Sequence, residues 1–162
     1  MIGYTVRRAA VYEAAIVATH RALMFRDMGQ LPDADVRLSE TAMTPWLAER
    51  MARGEYIGWF VEHDGRVVAG GGVLVRDQWS MPPHLLAPGR NAHVGNVYTE
   101  SAHRRRGVAR LIMQAILDWC TANAIDLVTL SASPDGRSLY EQLGFTPDTR
   151  AMRLFGAHSR RV

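Results

Sequence analysis

The chain has 162 residues, of which 48% are hydrophobic and 22% charged, enough for one domain with a buried core and unlike a disordered or low-complexity chain. Its single cysteine, Cys120, excludes an internal disulfide framework and any zinc site built on several thiolates. A formal net charge of +3 is too small to demand a nucleic-acid partner, and no apolar run approaches the roughly 18 residues of a membrane span.

Tyr4 to Arg8 reads as a first strand. Val11 to Arg26 reads as a helix with Ile16, Leu23 and alanines on its apolar stripe. Asp27 to Ser39 reads as a loop with Gly29, Pro32, Asp27, Asp33 and Asp35, followed by a helix over Thr41 to Arg53 in which Pro45 is tolerable only near the first turn. Tyr56 to His63 alternates with Ile57, Trp59 and Val61 on one face. Asp64-Gly65 is a favoured type I′ pair, and Arg66 to Val75 returns as the second strand of a hairpin. Gly70-Gly71-Gly72 in that strand marks a bulge or a close approach to the backbone. Trp46, Trp59 and Trp79 read as core or cavity wall.

A loop rich in Pro and Gly (Gln78 to Arg90) leads to a strand over His93 to Glu100. The next helix carries Val108, Leu111, Ile112, Ala115, Ile116 and Trp119, the i, i+3, i+4, i+7, i+8, i+11 series of one buried face. Cys120 lies outside that series and reads as inert packing rather than a nucleophile. Asp126 to Leu130 is a strand, Pro134 to Leu143 a helix stopped by Gly144, and Phe145 with Arg150 to Phe155 terminal strand material. The order β-α-α-β-β-β-α-β-α-β describes an α+β domain over residues 1–155 with a mixed sheet, then a short basic tail over 156–162. The unit from His93 to Leu130 predicts two parallel strands.

All basic residues are arginine, which fits the coding bias of a GC-rich bacterial genome. Their placement is more informative. His103-Arg104-Arg105-Arg106-Gly107-Val108-Ala109-Arg110 lies between a strand and a helix start. Unsatisfied amides and the helix dipole favour an anion there, and Gly107 lets a bound group approach the backbone. Phosphate or pyrophosphate is the natural ligand, although a solvated arginine loop is the plainer alternative. Neither G-x-x-x-x-G-K-[ST] nor G-x-G-x-x-G occurs. A DNA-binding reading finds no helix-turn-helix and no extended basic stripe.

The turn Arg104-x-x-Gly107-x-Ala109 after Asn96-Val97-Tyr98-Thr99, together with Leu139-Tyr140-Glu141-Gln142-Leu143-Gly144-Phe145, resembles the GNAT superfamily of acyl-CoA-dependent N-acetyltransferases. The resemblance spans about Tyr4 to Phe155. It implies a mixed central sheet of six to seven strands, splayed at the cofactor site and flanked by about four helices. It implies acetyl-CoA as co-substrate, with the amides of Arg105, Arg106, Gly107, Val108, Ala109 and Arg110 cradling the pyrophosphate beside Arg104. Val97, Tyr98 and Thr99 would pair with the pantetheine arm. Ser133 stands where many members carry an asparagine that contacts CoA.

Acetyl transfer to an amine poses two proton problems. An ammonium of pKa about 10.4 is neutral in about 1 part in 2,500 at pH 7, a deficit of roughly 4.6 kcal/mol. The departing thiolate needs an acid. Tyr140, by resemblance near the cofactor sulfur, is the candidate acid, against a plain packing role. Glu100 is the candidate base, directly or through water, against a solvated strand end. Asn96 would orient the acceptor, a small-molecule or peptide amine. In this family the loop that begins at Asp27 borders the acceptor pocket, and its carboxylates suggest a cationic amine, against a solvated acidic loop. The histidines show no metal-ligand spacing and no metal is expected; G-x-S-x-G is absent. The expected protein is cytoplasmic, with no nucleic-acid or membrane partner, and a homodimer through the terminal strands is left open. A non-catalytic acyl-CoA-binding module is the alternative.

Overall fold

The computed structural model describes residues 3–78, 89–149, 151, 152 and 154. Two compact units are present, Met1–Ser131 and Ala132–Val162. The first holds β1 (Tyr4–Arg8), α1 (Ala14–Asp27), α2 (Val36–Ala52), β2 (Tyr56–His63), β3 (Arg66–Gln78), β4 (Gly89–Thr99), α3 (Val108–Ala122) and β5 (Leu127–Leu130); the second holds α4 (Arg137–Gln142). No helix among the described residues is long and apolar enough to cross a membrane.

The five strands form one sheet in the order β1-β2-β3-β4-β5. Neighbours from β1 to β4 are antiparallel, and β4 pairs with β5 in parallel. Asp64 and Gly65 at the β2–β3 turn both have positive φ, 49° and 74°, as a type I′ hairpin requires. The fold is α+β as expected, with five strands rather than six to seven among the described residues. Residues 145–149 form no strand, where Pro147 offers no amide for a ladder. Arg150, Arg153 and Phe155 of the expected last strand, the 156–162 tail, and Trp79, His84 and His158 lie outside the described residues.

The three glycines of β3 have a packing cause. A Cβ on Gly70 would stand 2.7 Å from His20 Nδ1 of α1, and one on Gly72 would stand 2.5 Å from the Tyr56 hydroxyl. A Cβ on Gly71 would point the other way, 2.8 Å from Ile112 of α3. Successive strand residues face opposite sides of a sheet, so α1 and α3 cover opposite faces, each closer than any larger residue permits. The α1 side is filled by Ala14, Val17, Ala18, Leu47, Met51, Tyr56 and Phe60. On the α3 side Val108, Ile112, Met113, Ile116 and Cys120 are buried, and Trp59 meets Trp119 edge-on at 6.1 Å. Cys120 joins that buried face despite lying outside the apolar series, in keeping with a packing role, and burial pushes its thiol up. Trp46 remains exposed under the Arg50 guanidinium.

The structure corrects the second helix. It starts at Val36, not Thr41, after a 3-10 turn over Asp33–Asp35. Pro32 with acids just behind it is a helix-start signal, which the loop reading took for a break. Pro45 consequently sits in the helix interior.

Replacing Gly72 by Ala is expected to cost about 1–3 kcal/mol of unfolding free energy, since its Cβ has nowhere to go. Gly95→Ala, with nothing within 4 Å of its Cβ, is the control. Equal urea midpoints for the two variants would contradict this packing account.

Candidate functional site

The predicted cofactor segment is built from the end of β4 and the start of α3. Strand β4 pairs with β5 only over Asn91–Val94, opposite Leu127–Leu130. Beyond that, Val97, Tyr98 and Thr99 have β3 on one side and no strand of the described residues on the other. The opening is set by a register shift between Gly70 and Gly72 and by Asn96 in the left-handed region at φ 58°. Asparagine tolerates that conformation better than most residues.

After Glu100 and a 3-10 turn over Ser101–His103, the chain enters the arginine turn. Arg105 (φ 60°) and Gly107 (φ 77°) are both left-handed, and no side chain caps α3. The first amide of α3 with a backbone partner is that of Arg110, 3.1 Å from the Gly107 carbonyl. The amides from Arg105 to Ala109 have no acceptor among the described residues. The segment 104–107 is exposed. Alternating left-handed residues with unpartnered amides form an anion-binding concavity at the positive end of the helix dipole. An acyl-CoA diphosphate fits this donor set.

The Arg104 side chain turns back onto the protein. Its Nε donates to the Thr99 carbonyl at 2.8 Å, and its guanidinium pairs with Asp27 at the end of α1. The other Asp27 oxygen accepts from Arg26 at 2.7 Å. Partial burial works to raise the Asp27 carboxyl, but hydrogen bonds from Arg104 and Arg26 outweigh it and hold it below the usual range. Both Asp27 oxygens are thus occupied by arginines of the chain itself, and Asp33 lies 3.7 Å from Arg26. Asp27 thus anchors α1 to the turn, whereas Asp33 stays exposed to solvent. Glu100 lies just past the end of β4, with no ion pair among the described residues. Its backbone amide donates to Val68 and its carbonyl accepts from His103.

On the α1 face, Asn96 is buried. Its Nδ2 donates to the Tyr56 hydroxyl at 3.2 Å, and its Oδ1 accepts from Arg21 at 2.9 Å. Burial pushes the Tyr56 phenol up to about 12. Tyr98 faces the same helix, with its ring 5.2 Å from that of His20. His20 is 5% exposed, and its Nδ1 has no partner among the described residues. Burial pushes its imidazole down to about 4. Thr99 Oγ1 is likewise buried without a partner. Arg21, Tyr56 and His20 were not anticipated. The signal for Arg21 was present: Ala14, Val17, Ala18 and Ala22 are buried along one stripe of α1, and Arg21 occupies the i+7 position of that stripe.

In the second unit, Ser133 Oγ accepts the Gly136 amide at 3.2 Å, fixing the turn into α4. The Tyr140 ring lies 6.1 Å from that of Phe145, and burial pushes its phenol up. Gly144 (φ 92°) ends the helix, and the Phe145 amide bonds back to the Tyr140 carbonyl at 3.0 Å. Among the described residues no group of three or more His, Cys, Asp or Glu is arranged to hold a metal ion.

Residues 18–145 match the acetyltransferase (GNAT) family. Among solved structures, a GCN5-related N-acetyltransferase from Ralstonia eutropha is 27% identical with a TM-score of 0.83, covering 94% of this chain and 99% of that one. A predicted acetyltransferase from Clostridium acetobutylicum, solved with acetyl-CoA, is 22% identical (TM-score 0.81, 94% and 96% covered). Glucosamine-6-phosphate N-acetyltransferase from Arabidopsis thaliana shares the fold at 14% identity (TM-score 0.69, 94% and 97% covered). No curated protein matches the chain in sequence.

His20 supplies a pH signature. Its folded value near 4 lies below the ordinary 6.5, so the unfolded chain takes up the proton first as pH falls. The stability gained from neutral His20 is whole above pH 6.5 and is lost by about pH 4, up to roughly 3 kcal/mol. Urea unfolding at pH 7.5 and 4.5 should show a smaller loss for His20→Gln than for the unaltered chain. An identical loss would contradict the buried, neutral imidazole.

Proposed function

The chain belongs to the GNAT acetyltransferase family, and from that premise we propose that it moves an acetyl group from acetyl-CoA to the amine of a small molecule or peptide. The observation that carries this reading is the turn from Arg105 to Ala109, with amides that nothing in the described chain satisfies. Acetyl-CoA supplies the activated thioester. In this reading the amides of residues 105–109 bind its diphosphate, with Arg106 and Arg110 adding charge. Arg104 acts as a positioning residue through Thr99 and Asp27. The open-side backbone groups of Val97, Tyr98 and Thr99 hold the pantetheine arm as an added strand would be held.

Two side chains handle protons. Glu100 takes the proton from the attacking amine, directly or through water, with its carboxylate free of arginine partners among the described residues. The amine nitrogen forms the new C–N bond as the C–S bond breaks, and Tyr140 gives its proton to the departing sulfur. Burial raises the Tyr140 phenol, which keeps that proton in place at neutral pH. Asn96 orients the acceptor, and Ser133 is assigned a cofactor contact through its hydroxyl.

Incubation with acetyl-CoA and a panel of amines, while following free thiol, tests the assignment. Tyr140→Phe should lower turnover well over tenfold with the melting temperature retained, and Glu100→Gln should depress the rate most at low pH. Acetyl-CoA binding without thiol release for any amine would reduce the protein to a binding module. Undiminished turnover in Tyr140→Phe would remove that residue from the mechanism.

A further inference from the structure

We propose that Arg21 receives an anionic group, a carboxylate or a phosphate monoester, carried on the same small molecule as the acceptor amine. The inference rests on the acetyltransferase reading above and specifies its acceptor class. Arg21 projects from α1 onto the sheet face where Asn96 sits in its left-handed bend. One guanidinium nitrogen donates to the Asn96 oxygen at 2.9 Å, and the group lies 4.7 Å over the Phe25 ring. Asn96 is itself held by the Tyr56 hydroxyl, so the guanidinium is oriented from a rigid strand.

What this arginine lacks is a counter-charge. Every Asp and Glu of the chain falls among the described residues, and none forms an ion pair with Arg21. Only one of its five N–H donors has a hydrogen-bond partner among the described residues. Arg7, Arg26, Arg50, Arg53, Arg104 and Arg137 all hold carboxylates. A partly buried cation without an anion is unfavourable by itself, and burial pulls the Arg21 guanidinium below its ordinary value. A bound carboxylate or phosphate offsets that cost through the planar fork such groups fit.

Position assigns the anion to the acceptor. Asn96 immediately precedes Val97–Thr99, the residues given to the pantetheine arm, and Arg21 lies on the α1 face of that strand. Asp27, one of the three loop carboxylates that would favour a purely cationic acceptor, is occupied by Arg26 and Arg104.

The test uses the full chain with acetyl-CoA and three short acceptors: β-alanine, O-phosphoethanolamine and ethanolamine. The expected kcat/KM for at least one anionic acceptor exceeds that for ethanolamine at least tenfold. In Arg21→Gln that ratio falls toward one, and Arg21→Lys retains part of it. A preference for β-alanine alone identifies a carboxylate, and one for O-phosphoethanolamine alone a phosphate. A ratio near one in the unaltered chain, an unchanged ratio in Arg21→Gln, or acetyl-CoA binding without turnover of any of the three overturns the inference. Absence of calorimetric heat with acetyl-CoA is a different failure, which removes the acetyltransferase reading and this inference with it.

Discussion

An α-helix begins with amides that its own backbone cannot satisfy, and in this chain the amides from Arg105 to Ala109 have no acceptor among the described residues. No Ser, Thr, Asp or Asn caps α3; a left-handed Gly107 stands there instead. A capping side chain would stabilise the helix by about 1 kcal/mol and would also cover the amides. The turn gives up that stability and keeps an open set of donors. The buried face of α3, with Ile112, Met113 and Ile116 fully enclosed, is what allows a weakly started helix to hold.

The strand before the turn shows the same economy. Once β5 stops at Leu130, β4 continues with a strand neighbour on one side only among the described residues. Asn96 bends at that point, and its side chain goes to Tyr56 and Arg21. Arg104 ties the strand end to α1 through Asp27. The donor-rich turn, the half-paired strand and the polar cluster on the α1 face are thus one mechanical assembly. Its tightness depends on Gly70 and Gly71, which bring α1 and α3 against opposite sides of β3, and on Gly72, which leaves room for the Tyr56 hydroxyl.

Much of this was legible in the sequence because the signals were local. Asp64-Gly65 specified its turn by backbone sterics, the period of α3 named most of its buried face, and the two motifs marked the turn into α3 and the helix α4. What escaped depended on tertiary contacts. Arg21 reads as an ordinary polar residue until its stripe position is set beside the missing carboxylate. Asp27 reads as part of an acidic loop until Arg104 reaches it from 77 positions away. The glycine run announced a close approach without saying that the approaching groups were side chains of the chain itself. Val36 as a helix start was hidden because Pro32 and its acids carry loop and helix-start signals alike.

If the amides of residues 105–109 bind the diphosphate of an acyl-CoA, as proposed, the ligand must perturb them first. Backbone amide resonances of the isotope-labelled chain, followed during addition of coenzyme A, test this directly. The largest saturable shifts are expected at Arg105, Arg106, Gly107, Val108 and Ala109, with a weaker response to a CoA fragment lacking the diphosphate. Saturable shifts centred elsewhere, with these five amides unmoved, would contradict it.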